Sequence, residues 1–184
     1  LPATEPVTPL ILDTPAGIVR ARVEMGEHGV KGVTFQNVPA FLLAKDVEVD
    51  VLGVGRVVAD VSYGGNFYAI LPAAMVDVPL RPEHASRFVQ IGREIRNALN
   101  AKLEVVHPEN PLIRGVSHVM FTAAPTMPDA TQKNAVLYGP SGIDRSPCGT
   151  GTSARMAQLH ARGDLGLNQE FVHESIIGSL FYGR

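Results

Sequence analysis

The residues best suited to chemistry lie in one run, Asp144-Arg145-Ser146-Pro147-Cys148-Gly149-Thr150-Gly151-Thr152-Ser153-Ala154, which continues into Arg155-Met156-Ala157-Gln158-Leu159-His160. Cys148 is the only cysteine among the 184 residues. It follows a proline and precedes small and hydroxyl residues of the kind that open helices. The first turn of a helix leaves backbone N–H groups without acceptors, and the helix dipole adds positive potential there. Such a place favours an anion, either a bound carboxylate or the thiolate of Cys148 itself. With Asp144 four residues earlier, a thiol, a carboxylate and a nest of donors make a compact reaction site.

The elements that position this run are mostly strands. Residues 1–9, rich in proline, read as an extended connector. Leu10–Leu12 is a short strand, and Gly17–Met25 alternates Ile18, Arg20, Arg22 and Glu24 against Val19, Ala21, Val23 and Met25, a half-buried pattern. Val30–Gln36, Ala40–Ala44, Val47–Val51 and Val57–Ser62 follow. Gly64-Gly65-Asn66 interrupts a pattern that resumes as Phe67–Leu71, which reads as a bulge or a close backbone approach. Pro82–Lys102 is the clearest helix, with Phe88, Ile91, Ile95 and Leu99 on one stripe and Arg87, Arg93, Glu94, Arg96 and Asn97 on a solvated face. Leu103–His107, Gly115–Ala123 and Asn134–Tyr138 are strands, and the cysteine helix ends near Gly163, a natural C-cap. Glu170–Phe181 supplies one or two more. Many strands with two helices predict an α+β fold, curled and mostly antiparallel, around a buried helix.

Composition narrows the classes. The chain is 45% hydrophobic and 18% charged with a net charge of −2, so an ordinary globular protein is expected and no basic surplus points to nucleic acid. No apolar run approaches the ~20 residues that span a bilayer, so no membrane partner is expected. The first residues carry neither a charged nor an apolar leader pattern, and a cytoplasmic location is the default. One cysteine permits neither an intrachain disulfide nor a thiolate metal cluster.

The run around Cys148 resembles the second catalytic-cysteine motif of the proline racemase family, which includes 4-hydroxyproline epimerases and 3-hydroxyproline dehydratases. Leu12-Asp13-Thr14-Pro15-Ala16-Gly17, Tyr63-Gly64-Gly65-Asn66-Phe67-Tyr68-Ala69-Ile70, Val106-His107-Pro108 and His173-Glu174-Ser175-Ile176-Ile177-Gly178-Ser179-Leu180-Phe181 look like further landmarks of that family, in its order. The resemblance implies a diaminopimelate epimerase-like fold of two lobes, each giving one cysteine at the start of its central helix. The family's first cysteine motif, of Cys-Gly-His-Gly type, has no counterpart here, nor do the strands that normally follow the Gly-Ser-Leu-Phe-Tyr-Gly-Arg ending. Residues 10–184 are therefore expected to be the second, Cys148-bearing lobe of a longer enzyme.

Racemisation at Cα removes a proton from one face and delivers one to the other, so the base must be close, oriented and dry. By resemblance, Cys148 is the acid/base on one face, Gly149 and Thr150 give backbone donors to the substrate carboxylate, and Asp144 pairs with the ring nitrogen. Tyr138 matches a position that holds an aromatic wall for the pyrrolidine ring, and Asn66 one that faces substrate. His118 matches a position where hydroxyproline epimerases carry histidine and proline racemases do not, which points to 4-hydroxyproline as the small-molecule substrate. The resemblance implies no cofactor or metal, and a homodimer. From the residues alone, Asp144 also fits a turn or capping residue, and Tyr138 and His118 fit core or satisfied polar positions. His28, His84, His107, His160 and His173 lack metal-ligand spacing.

Two other classes compete. Gly149-x-Gly151-x-x-Ala154 superficially fits a dinucleotide fingerprint, but that motif must follow a strand directly, and Asp-Arg-Ser-Pro intervenes. A cysteine-nucleophile hydrolase would need a histidine orienting Cys148. Within the family, Cys148 argues against dehydratases that carry threonine at this position, while proline racemase and dehydratases with a serine facing this cysteine remain as alternatives.

Overall fold

The computed structural model describes residues 6–184, which divide into two compact units, one ending at Pro39 and the other Ala40–Arg184. The first unit is an antiparallel meander of β1 (Val7–Thr14), β2 (Gly17–Gly26) and β3 (Gly29–Gln36). Of the stretch expected to be a connector, residues 7–9 already belong to β1, and residues 1–5 lie outside the described residues. Register pairs Leu10 with Ala21 and Ala21 with Phe35, so the apolar alternation read from the sequence gathers on one face of the sheet.

The second unit is one sheet with two helices. Its strands are β4 (Phe41–Val51), β5 (Gly55–Tyr63), β6 (Phe67–Pro72), β7 (His118–Ala123), β8 (Gln132–Tyr138), β9 (Gly142–Ile143), β10 (Phe171–Glu174) and β11 (Leu180–Gly183). Helix α1 spans Ala85–Lys102 and α2 spans Gly149–Arg162. The sheet order is β11-β10-β8-β7-β6-β5-β4, with β9 pairing β8. Most pairings are antiparallel, as expected, but β6–β7 and β8–β10 are parallel. Each parallel pair is bridged by one helix, because two parallel neighbours need a crossover long enough to return the chain.

Side-chain alternation distributes the helices. On β7 and β8, Met120 and Val136 face α2, where they pack with Tyr68, Ile70, Cys148 and Ala154. Their neighbours Phe121 and Leu137 face α1: the Phe88 and Phe121 rings lie 4.7 Å apart, and Leu137 closes over Gly92. Helix α2 touches β4, β5, β6 and, from the far edge, β11, so the sheet curls around it. The predicted α+β arrangement of curled strands about a central helix is what the chain adopts.

Several local expectations change. Ala40–Ala44 and Val47–Val51 form one strand, β4, whose register slips between Leu42 and Val47, with Asp46 at φ 52°. Pro82–His84 is a 3₁₀ turn leading into α1, consistent with a proline and an acid in the opening turn. Leu103–His107 is not a strand. It forms one bridge, Val106 with Arg114, because Pro108 and Pro111 lack the N–H groups a ladder needs. Gly64-Gly65-Asn66 is the three-residue loop joining β5 to β6 rather than a bulge within a strand. At the end of α2, Gly163 adopts φ 84° and donates to the His160 carbonyl, the expected left-handed cap.

Candidate active site

Cys148 immediately precedes α2 with φ 67° and ψ 111°, a conformation that L residues rarely adopt. Ser146 Oγ accepts the Cys148 N–H at 3.1 Å, and the Cys148 carbonyl accepts the Thr152 N–H at 2.7 Å. The preceding carbonyl, of Pro147, receives Asn134 Nδ2 at 3.0 Å and Thr152 Oγ1 at 3.4 Å. His173, fully buried, completes this cluster: Asn134 Nδ2 donates to its Nε2 at 2.6 Å, so its Nδ1–H donates to Thr152 Oγ1 at 3.0 Å. Burial, with the nearby Arg155 charge, pushes the His173 pKa down to about 3 and keeps the ring neutral.

The sulfur lies among hydroxyls and amides. Tyr68 hydroxyl is 3.2 Å from Cys148 Sγ and 2.6 Å from Thr150 Oγ1, which itself stands 4.0 Å from the sulfur. The Gly151 N–H also points to Cys148, and a Cβ at Gly151 would stand only 3.2 Å from Sγ and 2.9 Å from Met120 Cε. Burial raises the thiol pKa above its usual value, and Asp144 adds to this. The bonds from Tyr68, Gly151 and Thr150 act in the opposite direction. Gly149 and Thr150 occupy the first turn of α2, where helix geometry gives their N–H groups no acceptor one turn back.

Asp144 takes a turn role. Its Oδ1 accepts the Ser146 N–H at 2.8 Å and the Ser146 hydroxyl at 2.9 Å, so a chain of bonds runs from carboxylate through Ser146 to the Cys148 amide. Its other oxygen, Oδ2, accepts no hydrogen bond among the described residues. His118 pairs in register with Tyr68, the two rings 4.8 Å apart, and Ser117 Oγ lies 2.7 Å from His118 Nδ1. Burial first, then the Arg96 charge, lowers the His118 pKa to about 4, against a smaller opposing pull from Asp144. Tyr138 is on the same face of β8 as Val136, two residues on, and its half-exposed ring covers Gly142 of the paired strand.

Tyr68, His118 and Asp144 therefore lie near the start of α2, while Tyr138 packs on Gly142 at the end of β8 and Asn66 stays half-buried in the β5–β6 loop, outside the bonds made by Cys148. Gly64, beside it, presses on α2 itself: a Cβ there would lie 2.2 Å from the Thr150 carbonyl oxygen and 2.5 Å from the Ala154 nitrogen. Sequence reasoning missed Tyr68 and Arg96. Tyr68 sits in an apolar strand pattern, and its hydroxyl's partners are 80 or more residues away, so no local signal marks it. Arg96 is not merely solvated; it donates to the carbonyls of Ser117, at 3.1 Å, and Gly139, at 2.6 Å. His160 and His107 lie elsewhere: His160 is exposed near Leu165, and His107 packs edge-to-face against Tyr63. Among the described residues no three His, Cys, Asp or Glu side chains converge as a metal site. Among the described residues no helix is long and apolar enough to cross a membrane.

A sheet curled around a helix that begins at a buried thiol defines the class, and comparison with known proteins gives the family. The proline racemase family profile matches residues 1–184, and the chain belongs to that family. It is 45% identical over 184 residues to the proline racemase of Clostridioides difficile, covering 100% of this chain and 55% of that protein. It is 51% identical over 175 residues to the probable 4-hydroxyproline 2-epimerase of Rhizobium meliloti (strain 1021), covering 95% of this chain and 53% of that protein. A hydroxyproline epimerase from Agrobacterium vitis, solved with bound trans-4-hydroxy-L-proline, superposes with a TM-score of 0.92 at 36% identity, over 99% of this chain and 52% of the other. Methylitaconate-delta-isomerase, at 12% identity and a TM-score of 0.58 over 99% of this chain and 60% of the other, shares the fold. The chain spans about half the length of the curated relatives it matches.

Proposed function

We propose that this chain is the Cys148-bearing lobe of a cofactor-independent 4-hydroxyproline 2-epimerase. The observation that carries the reading is the sulfur of Cys148 held at the start of α2, beside first-turn N–H groups and in hydrogen-bond reach of Tyr68. Cys148 exchanges a proton with Cα on one face, and a second thiol from a facing lobe serves the other. One sulfur is a thiolate and the other a thiol at the start of each turnover, and the roles are reversed at its end. The N–H groups of Gly149 and Thr150 grip the substrate carboxylate, so charge developing as the proton leaves is met by donors already in place. Asp144, through the oxygen not engaged by Ser146, pairs with the ring ammonium. Neutral His118 reads the 4-hydroxyl, Tyr138 walls the ring, and Asn66 borders the substrate from the β5–β6 loop. The intact protein is a cytoplasmic homodimer.

A hydrolase loses its main support, because the partners of Cys148 are hydroxyls and a backbone amide, and among the described residues no histidine bonds to it. The deciding experiment incubates the intact protein with trans-4-hydroxy-L-proline, L-proline and trans-3-hydroxy-L-proline in D₂O, with Cys148→Ser as control. Inversion with deuterium entry at Cα for the 4-hydroxy substrate, lost in the variant, is the expected result. Inversion of L-proline alone makes the protein a racemase, and loss of water from the 3-hydroxy substrate makes it a dehydratase.

A further inference from the structure

Tyr68 has no role in the scheme above, yet it touches the reacting atom. Strand β6 aims it at α2 on the same face as Ile70, and its side chain is fully buried. A buried tyrosine hydroxyl needs a partner. Thr150 alone, at 2.6 Å, would satisfy it. The hydroxyl nevertheless also lies 3.2 Å from Cys148 Sγ, so one phenol connects the sulfur to the hydroxyl of the helix's first turn. The His118 ring stacked against it fixes the tyrosine laterally.

We propose that Tyr68 positions the Cys148 sulfur and favours its thiolate form by donating its O–H to it, with Thr150 accepting that proton's bond when the sulfur is protonated. The inference rests on the reading of Cys148 as an acid/base. When Cys148 is a thiolate, Tyr68 donates to sulfur and accepts from Thr150. When Cys148 has taken the Cα proton, its S–H donates to the phenol oxygen, and the phenol O–H turns to Thr150. The transferred proton moves only between Cα and sulfur. Tyr68 keeps its own, because burial and the neighbouring sulfur push its pKa well above the usual value for tyrosine. The other titratable groups around Cys148 are Asp144, in the loop after β9, and His118, on β7 behind the tyrosine ring. Asp144 opposes the thiolate and His118 is neutral above about pH 4, which leaves Tyr68 as the side chain that stabilises the ionised sulfur most directly.

The test measures alkylation of Cys148 by iodoacetamide in the intact protein as a function of pH, resolved by mass spectrometry of the Cys148 peptide. Tyr68→Phe keeps the ring and removes the donor. The midpoint should rise by about one pH unit and the rate below it should fall about tenfold, the effect of one hydrogen bond to a charged group. Tyr63→Phe is the control, because the buried Tyr63 hydroxyl has no hydrogen-bond partner among the described residues. If Tyr68→Phe fails to fold, 3-fluorotyrosine at position 68 keeps the shape, donates more strongly and should lower the midpoint. An unchanged midpoint in whichever variant folds overturns the proposal. Turnover of trans-4-hydroxy-L-proline is followed on the same samples: a shifted midpoint without any wild-type turnover sinks the epimerase reading and leaves the Tyr68 contact standing.

Discussion

Gly64→Ala is the substitution from which the structure predicts most. Thr150 O and Ala154 N are one turn apart in α2, so they are the two ends of a helical hydrogen bond, and Gly64 lies against that bond. A methyl group there would stand 2.2 Å from the oxygen and 2.5 Å from the nitrogen, both main-chain atoms that cannot rotate aside. Relief requires about 1 Å of separation between the β5–β6 loop and the first turns of α2, against a normal carbon contact of about 3.5 Å. Overpacking of this kind costs roughly 1–3 kcal/mol, and weakening the wedged hydrogen bond adds about 1 kcal/mol. A loss of about 2–4 kcal/mol corresponds to a fall in Tm of roughly 5–15 °C for a chain of this size. The same shift moves Cys148, Gly149 and Thr150 together, and about 1 Å of misplacement at reacting groups can reduce turnover roughly 100-fold. Thermal unfolding and deuterium exchange at Cα of trans-4-hydroxy-L-proline, both on the intact protein, measure the two effects. Gly32→Ala is the control, since no atom lies within 4 Å of a Cβ there and its backbone is not left-handed. A Gly64→Ala protein with unchanged Tm and turnover within twofold of wild type would refute the close-approach argument.

Other consequences are independent of that one. Burial would raise the Glu174 pKa, but bonds from the Thr126 side chain, Lys133 and the N–H groups of Met127 and Thr126 outweigh it and hold the carboxyl at about 2. A depressed carboxylate stabilises the fold above its unfolded pKa of about 4.3 and loses that contribution as pH falls toward 2, so Glu174→Gln should cost roughly 3 kcal/mol more at pH 7 than at pH 2 in urea unfolding; equal costs would refute this. His118, held at about 4, should show no protonation midpoint between pH 5.5 and 7.5 in an NMR titration of its ring, and a midpoint near 6.5 would contradict its buried environment. Cys148→Gly should melt at or above Cys148→Ala, reversing the usual order by which glycine costs about 0.5–1 kcal/mol, because φ 67° strains alanine and not glycine.

The parts of this architecture that local pattern controls were legible. Alternating strands, the apolar stripe of α1, the glycine cap of α2 and the placement of Cys148 at a helix start all follow from residues within a few positions of one another. What escaped depends on distant partners. Nothing around Tyr68 tells a core tyrosine from one bonded to a thiol 80 positions on, and nothing in α1 shows that Arg96 reaches the carbonyls on either side of β7 and β8. The two parallel pairings were hidden for a related reason: alternation reports which face a strand buries, not the direction of its neighbour. The crossover helices were the available signal, since a helix between two strands lets the chain return in the same direction. Leu103–His107 failed differently. Its alternation fits a strand, but Pro108 and Pro111 deny it a ladder, and the chain turns back through Val105, Gly115, His107 and Ile113 instead.

The start of α2 shows how these long-range contacts act together. A helix that merely had to begin would do so at a serine or aspartate in extended backbone, its side chain capping the first turn. Cys148 is no such residue, and it sits at φ 67°, at a cost on the order of 1–3 kcal/mol. In that conformation its sulfur meets the Gly151 N–H and the Tyr68 hydroxyl. The strained peptide is held on both sides, by Ser146 at the Cys148 amide and by Asn134 and Thr152 at the Pro147 carbonyl. His173, which ties Asn134 to Thr152, stays neutral down to about pH 3, so this clamp carries no proton that changes near neutral pH. The groups that fix the backbone are thus separate from the thiol whose protonation the proposed epimerisation would change. In that scheme the sulfur gains and loses a proton while the helix start beneath it keeps its shape.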